Sequence, residues 1–295
     1  MSEVTPRKGI ILAGGSGTRL WPITMGVSKQ VLPVYDKPMI YYPLSVLMLA
    51  GIREVAIITA PDDQPQFSRL LGDGSQWGMR LEWIVQPRPE GLAQAYLLAG
   101  DFLNGAPSLM VLGDNLFFGH GLSGLLARAD ERSVGGTVFG YRVADPERYG
   151  VVDFDARGQV RAIIEKPAVP PSNYAVTGAY CLDGTAPAKA ARVQPSARGE
   201  LEIVTLLEMY LAEGTLSVET MGRGYAWLDT GTHESLLDAG NFVRTLEQRQ
   251  GLQIGSPDEI AFTAGWISRA ELAVRAELFG KTVYGAYLQG LAEHG

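Results

Sequence analysis

The sequence predicts an α/β protein: a Rossmann-like, mixed and mostly parallel central sheet flanked by helices, followed by a second lobe and a helical C-terminal region. Three observations predict it. Short β-branched apolar runs alternate with helix-length segments through the first half of the chain. A glycine-rich turn, Leu12-Ala13-Gly14-Gly15-Ser16-Gly17-Thr18-Arg19-Leu20, directly follows the first of those runs, Gly9-Ile10-Ile11. A later apolar run ends in Leu112-Gly113-Asp114-Asn115. Alternating strand and helix implies parallel strands covered on both faces. Ligands of such sheets bind beyond the carboxyl ends of the strands, where the glycine turn and the Asp114 segment both fall.

Taken in order, Ile10–Leu12, Val55–Thr59, Leu81–Val85 and Leu109–Leu112 read as buried strands bounded by Gly, Pro or Asp. Pro38 to Ala50 has helical length and stops at Gly51, a favourable residue just past a helix end. Gly91 to Asp101 reads as a second helix. Beyond it, Gly136–Val143 is a strand, and Gly150–Phe154 pairs with Gln159–Glu165 through the turn Asp155-Ala156-Arg157-Gly158. Pro167, Pro170 and Pro171 interrupt the pattern before the strand Tyr174–Leu182. A helix from Glu200 to Glu213 carries Ile203, Leu206, Leu207 and Tyr210 on one face and is closed by Gly214. Another runs from Glu234 to Gln250, closed by Gly251. The remainder reads as helical with an aromatic strand or loop, and no internal repeat is visible.

The 295 residues suit one large domain or a domain with a lobe, and 46% hydrophobic with 19% charged residues is ordinary for a soluble globular protein. A net charge of −7 argues against a nucleic-acid surface. One cysteine, Cys181, excludes an internal disulfide and a cysteine-rich metal site; His120, His233 and His294 are too scattered for a zinc site. The polar N-terminus Met1-Ser2-Glu3-Val4 carries no signal-peptide core. Met39 to Gly51 is too short for a bilayer, which needs about 20 apolar residues, so the expectation is a cytoplasmic, soluble protein without membrane partners.

A glycine turn after a strand brings backbone N–H groups up to phosphate, and Arg19 just past it offers a rigid fork of donors. The loop lacks the Gly-Lys-Ser/Thr ending of a Walker loop. Leu20 also stands where a dinucleotide fingerprint needs its third glycine. A purely structural glycine turn is the alternative. Asp114 and Asp229 end or follow apolar runs; carboxylates there hold Mg²⁺, or serve as helix caps and turn formers. Lys29 in Ser28-Lys29-Gln30 can supply a second positive charge for a triphosphate, or be a solvated surface lysine. Glu165 and Lys166 can bind sugar hydroxyls and phosphate, or form a surface ion pair. Gln86 can read a base edge through paired donor and acceptor, or shape a turn. Trp21, Tyr149 and Trp227 read as core aromatics ahead of stacking platforms.

Together and in order, these segments resemble the sugar-1-phosphate nucleotidyltransferases, and within them the short bacterial glucose-1-phosphate thymidylyltransferases. The resemblance rests on the glycine loop, Ser28-Lys29-Gln30-Val31-Leu32-Pro33, Gln86-Pro87 with Gly91-Leu92-Ala93-Gln94-Ala95, and Leu112-Gly113-Asp114-Asn115. It continues through Glu165-Lys166-Pro167, Gly199-Glu200-Leu201-Glu202-Ile203 and Trp227-Leu228-Asp229-Thr230-Gly231-Thr232-His233, from about Lys8 to Leu288. It implies a single domain over 1–295, with a nucleotide-binding half (8–135), a sugar-phosphate-binding half (136–232) and a helical interface or regulatory region (233–295). The implied substrates are dTTP and glucose 1-phosphate, the cofactor Mg²⁺, the assembly a homotetramer and the pathway that of dTDP-L-rhamnose.

By the same resemblance, Leu12, Ala13, Gly14, Gly15, Gly17 and Thr18 wrap the nucleotide, Arg19 polarises the reacting phosphate and Lys29 contacts the triphosphate. Gln86 and Gly91 read the base. Asp114 and Asp229 hold the metal. Asn115, Tyr149, Gly150, Glu165 and Val176 contact the sugar, and Lys166 its phosphate. Arg19, Lys29, Lys166, Asp114 and Asp229 form the catalytic set, with no side-chain nucleophile required. His120, Arg223 and Glu259 match a regulatory site for the pathway end product.

Two departures stand out. After Ile203 the family continues Thr-Asp-Ile-Asn, whereas this chain has Val204-Thr205-Leu206-Leu207; an acid and an amide are absent, which bears on sugar preference. After Glu259-Ile260-Ala261-Phe262 the family commonly has an arginine, and here stands Thr263, which predicts weakened feedback inhibition.

Overall fold

In the computed structural model, which describes residues 5–15 and 17–295, strand β1 (Lys8–Ala13) is buried from Gly9 onward. Residues 1–4, on which the signal-peptide reading falls, and Ser16 of the glycine loop lie outside the described residues. Three short 3-10 turns follow the loop, at Thr18–Leu20, Ile23–Met25 and Lys29–Val31. A small hairpin, β2 (Pro33–Val34) with β3 (Lys37–Pro38), leads into helix α1 (Tyr41–Leu49). That helix is apolar almost all round and is accordingly buried almost all round. Then come β4 (Glu54–Thr59), α2 (Gln64–Leu71), β5 (Arg80–Val85), α3 (Gln94–Leu98), α4 (Gly100–Leu103), β6 (Ser108–Leu112), β7 (Asn115–Gly119) and α5 (Leu122–Asp130).

The second lobe contains β8 (Gly136–Arg142), β9 (Gly150–Phe154), β10 (Val160–Glu165), β11 (Tyr174–Leu182), α6 (Ala186–Ala190) and α7 (Ile203–Ala212). After it come β12 (Leu216–Met221), β13 (Tyr225–Asp229) and the helices α8 (His233–Gln250), α9 (Pro257–Thr263), α10 (Arg269–Phe279) and α11 (Val283–His294). One sheet runs β5–β4–β1–β6–β11–β8–β12, with the β9–β10 hairpin joined to β11 at Ala175↔Val151. The ladders β5–β4–β1–β6 and β8–β12 are parallel; β11 runs antiparallel to both its long neighbours.

Side-chain alternation along β1 explains the two-faced core. Ile10 and Leu12 pack with Ala56, Ile58, Met110, Tyr96 and Leu206 on one face. Ile11 and Ala13 pack with Leu44, Ile57, Val111 and Leu125 on the other. A third cluster, Leu20, Leu32, Val34, Leu116 and Val243 among its members, seats α8 against the flank of the glycine loop. Among the described residues, no helix is long and apolar enough to cross a membrane.

Several boundaries differ from the sequence reading for identifiable reasons. The helix expected over Pro38–Ala50 begins at Tyr41, because Pro38 is held in the small hairpin. The helix expected over Gly91–Asp101 is two short pieces broken at Ala99, beside the poor helix former Gly100. Its first residues are instead drawn to the second lobe, where Ala93 N donates to Leu201 O at 3.0 Å and Leu201 N to Glu90 O at 2.7 Å. For the same reason the helix expected from Glu200 begins at Ile203. The tail holds α9, α10 and α11, capped by Ser256, Ser268 and Thr282, and its aromatic residues sit on helices, with no strand among the described residues there. Trp21, expected in the core, is 53% exposed, whereas Trp227 is buried.

Candidate active site

Strand pairing builds the site. Leu12 sits opposite Leu112 in the β1–β6 ladder, so the glycine loop and the Gly113-Asp114 turn leave the sheet at the same level. Strands β7 and β13 form a separate antiparallel ribbon in which Asn115 faces Asp229. Thr230 clamps the junction, its backbone N–H and its hydroxyl both donating to the Asp114 carbonyl at 3.1 and 2.7 Å. Two carboxylates 115 positions apart in sequence thereby stand side by side.

Their surroundings push them in opposite directions. Burial would raise the Asp114 carboxyl, yet the Lys29 ammonium bonded to it, the Asn115 amide at 2.8 Å and the Arg19 charge hold it below the usual carboxylate range. Asp229 is raised, by burial first and then by the negative charge of Asp114, with Lys29, Arg19 and Arg148 opposing. Lys29 is itself buried, and its only ion pair among the described residues is with Asp114.

Gly14, Gly15, Gly17, Thr18, Arg19, Lys29, Gln30, Asp114 and Gly231 line one hollow. Gly17 has φ 59°, a left-handed conformation that glycine takes without strain, and the Thr24 hydroxyl fixes it by donating to its carbonyl at 2.7 Å. A Cβ on Gly14 would lie 1.9 Å from Gln86 Oε1, so only glycine lets the loop rest on that buried amide. Arg19 is exposed and forms no ion pair with a described residue. Its donors are therefore free to bind a phosphate.

The adjoining cleft, about 350 Å³, is lined by Leu12, Gly14, Arg19, Asp114, Asn115, Tyr149, Gly150, Glu165, Lys166, Val176 and Asp229 among the predicted residues. Asn115 is held by three bonds: its amide donates to Asp114 at 2.8 Å, while its oxygen accepts from Trp227 Nε1 at 2.6 Å and Gly178 N at 3.2 Å. Tyr149 stands edge-on to Trp227 at 5.1 Å. Glu165 pairs with Arg198 at 3.1 Å and with Lys166 at 3.5 Å. Lys166 has φ 43°, an unfavourable conformation for a lysine, held by its N–H donating to the Tyr149 carbonyl at 3.0 Å. Local strain of this kind clusters where a side chain must be aimed.

The hollow and the cleft thus unite fifteen of the predicted positions at one seam. Ala13 instead packs its side chain in the core. Gln86 lies behind Gly14, its amide donating to Gln94 at 2.7 Å. Gly91 packs against the backbone of Leu201, outside the lining. His120 and Glu259 line a different hollow between α1, β7 and α9, while Arg223 lies on the β12–β13 turn outside that lining. The sequence reading missed Gln30, Leu92, Arg148, Tyr180, Glu200, Glu202 and Gly231 as lining residues. Gln30, Leu92, Glu200, Glu202 and Gly231 lie inside quoted motifs; the available signal was adjacency to Lys29, Gly91 or Asp229 for Gln30, Leu92 and Gly231, and the motif itself for Glu200 and Glu202.

No group of three or more His, Cys, Asp or Glu side chains suited to a metal occurs among the described residues. The Asp114–Asp229 pair nevertheless fits Mg²⁺, which takes one or two carboxylates and completes its shell with water and phosphate oxygens. Burial first, and then the neighbouring Asp114 charge, raise the Asp229 carboxyl, and a divalent cation would oppose both.

The model of the nucleotidyl transferase family matches residues 8–245. A glucose-1-phosphate thymidylyltransferase of Xanthomonas campestris pv. campestris (strain B100) is 62% identical over 292 residues, covering 99% of each chain. The glucose-1-phosphate thymidylyltransferase of Mycobacterium tuberculosis H37Rv is 53% identical over 286 residues, covering 97% of this chain and 99% of that one. A Bacillus anthracis crystal structure carrying the name glucose-1-phosphate thymidylyltransferase, in complex with a sucrose, superposes with a TM-score of 0.76 at 38% identity. It covers 81% of this chain and 96% of its own. A UDP-glucose pyrophosphorylase complexed with UDP-glucose has a TM-score of 0.72 at 23% identity, which shows a shared fold.

Proposed function

The chain belongs to the nucleotidyl transferase family and is a nucleotidyltransferase acting on a sugar 1-phosphate; from that premise we propose that it transfers a thymidylyl group from dTTP to α-D-glucose 1-phosphate, releasing pyrophosphate. The observation that carries the reading is the seam itself. Arg19, Lys29, Asp114 and Asp229 stand where a glycine-lined hollow opens into a wider polar cleft.

A phosphate oxygen of the sugar attacks the α-phosphorus, a new P–O bond forms, and the bond to the β-phosphate oxygen breaks in line. The nucleophile is already an anion, so no general base is needed. What this chain supplies is position and charge. Backbone amides of Gly14, Gly15, Gly17 and Thr18 receive the triphosphate. Arg19 faces the reacting phosphate, and Lys29 steadies Asp114 and the triphosphate. Gln86 and Gly91 shape the base end. Glu165, Asn115, Tyr149, Gly150 and Val176 take the sugar, and Lys166 its phosphate. Asp114 and Asp229 would hold Mg²⁺, whose charge offsets that of the phosphates.

The proposal extends to the whole chain. Residues 8–135 act as the nucleotide half, 136–232 as the sugar-phosphate half and 233–295 as an interface and regulatory region of a cytoplasmic homotetramer serving dTDP-rhamnose synthesis. His120, Arg223 and Glu259 mark the regulatory site. A second reading keeps the chemistry but changes the substrates, with UTP or a modified sugar 1-phosphate. Val204 favours weighing it, since it presents an apolar side chain to the cleft beside Gly150, whereas Leu206 and Leu207 are wholly in the core. Pyrophosphate release, measured with dTTP and UTP against several sugar 1-phosphates, tests both. Fastest turnover with dTTP and glucose 1-phosphate is expected. A preference for UTP or another sugar replaces the substrate assignment, and no release with any pair overturns the reaction.

A further inference from the structure

Gly231 lines the glycine-loop hollow yet contributes no side chain to it. A Cβ built on Gly231 would lie 2.8 Å from Arg19 Nη2, 3.1 Å from Arg19 Cζ and 3.1 Å from Asp229 Oδ1. The guanidinium therefore lies against bare backbone, next to the Asp229 carboxylate. Gly231 is absent from the residues with positive φ, so its backbone conformation is open to alanine. What demands glycine here is the space taken by Arg19.

The backbone on either side has little room to retreat. Thr230 is bonded twice to the Asp114 carbonyl, and Thr232 caps α8 in a reciprocal arrangement with Ser235. Arg19, by contrast, is the exposed end of a long flexible side chain with no ion pair among the described residues. When a side chain is added at 231, the guanidinium is the group that yields.

We propose that Gly231 is a positioning residue for Arg19: the missing side chain is the seat that lets the guanidinium lie beside Asp229 and face the reacting phosphate. This rests on the reading of Arg19 given above. Displacing a positioned group by about 1 Å costs up to about 100-fold in rate, so Gly231→Ala should lower kcat by about 10- to 100-fold. The KM for the sugar 1-phosphate should change little, because the sugar side of the cleft is untouched.

The test compares the wild type, Gly231→Ala, Arg19→Ala and the double variant as full-length proteins. Three quantities are measured: kcat and KM by pyrophosphate release, pyrophosphate affinity by calorimetry, and thermal stability. Gly231→Ala should lose turnover and pyrophosphate affinity while melting within about 2 °C of the wild type. In the Arg19→Ala background it should lose no more of either. Pyrophosphate affinity keeps the comparison readable where turnover is very slow. A further, independent loss in that background overturns the proposal, as does wild-type behaviour of Gly231→Ala or a large drop in its melting temperature. Wild-type turnover and affinity in Arg19→Ala would instead overturn the reading of Arg19.

Discussion

Replacing Lys29 with methionine keeps a long apolar stem and removes the ammonium bonded to Asp114. Breaking a buried ion pair by deleting one partner typically costs about 3–5 kcal/mol, because the surviving charge is left uncompensated. Here the survivor is better served: the Asp114 side chain is 20% exposed and keeps its 2.8 Å bond from Asn115. A loss of about 2–3 kcal/mol near neutral pH is therefore expected. The pH dependence identifies the cause. In the wild type the folded Asp114 carboxyl is held below its unfolded value, so its contribution is complete above that value and lost as pH falls through the lower, folded one. Without Lys29, burial and the neighbouring Asp229 raise the folded carboxyl above its unfolded value, reversing the sign. The penalty is then full at neutral pH and relieved as the carboxyl protonates. Urea unfolding of both proteins with EDTA, at about pH 7 and about pH 4.5, should show the stability gap shrinking toward the acid side. A gap that is the same at both pH values, or smaller than about 0.5 kcal/mol throughout, would refute the charge argument.

Asp229→Asn should leave the melting temperature unchanged or slightly higher, since it removes a carboxyl raised by burial and by Asp114, while turnover falls by at least about 100-fold; near-normal Mg²⁺-dependent turnover would end its metal role. Cys181 is buried and its thiol is pushed up to about 11, so native protein should resist iodoacetamide at about pH 8 and react only once unfolded; prompt native labelling would contradict the burial. The hollow holding His120 and Glu259 has no lysine or arginine among its described lining residues, and the Thr263 hydroxyl is bonded to its own helix at Glu259 O, 2.9 Å away. Titration of activity with dTDP-L-rhamnose should accordingly show weak inhibition, and inhibition as tight as in arginine-bearing relatives would count against it.

What was legible in the sequence was what local physics determines. Strands β1, β4 and β6 are buried on both faces, so they read as unbroken apolar runs. The β11 span was readable end to end because prolines precede it and Gly184 follows it. The β7–β13 ribbon was not legible. Its strands are about a hundred residues apart, and their register, Asn115 opposite Asp229, is fixed by pairing that no local pattern encodes. The same holds where Leu201 bonds to Glu90 and Ala93, shortening two expected helices at once. For the site, residue type and order singled out Arg19, Lys29, Asp114 and Asp229, and the structure brings them to one seam. Gln30 and Gly231 escaped because their place in the lining depends on neighbours distant in sequence, as where Gly231 lies against Arg19.

The four groups at the seam carry two positive and two negative charges, so the protein alone presents a nearly neutral floor to two anionic substrates. Lys29 is already bonded to Asp114, which leaves Arg19 as the one cation of the four with no partner among the described residues. Among the described lining residues, further positive charge is present only at the cleft's sides. Lys166 contacts Glu165 at 3.5 Å, and Arg148 is bonded to Asp145 at 2.7 Å. A site built this way is stable without substrates, because its buried charges compensate each other. It also has too little positive charge to bring a triphosphate and a sugar phosphate into contact. Asp229, raised by burial and then by the Asp114 charge, stands beside Asp114, and a divalent cation there would offset the two carboxylates and supply the charge both phosphates need. On the proposed reaction, a divalent cation held by Asp114 and Asp229 would therefore complete the charge balance of the resting site.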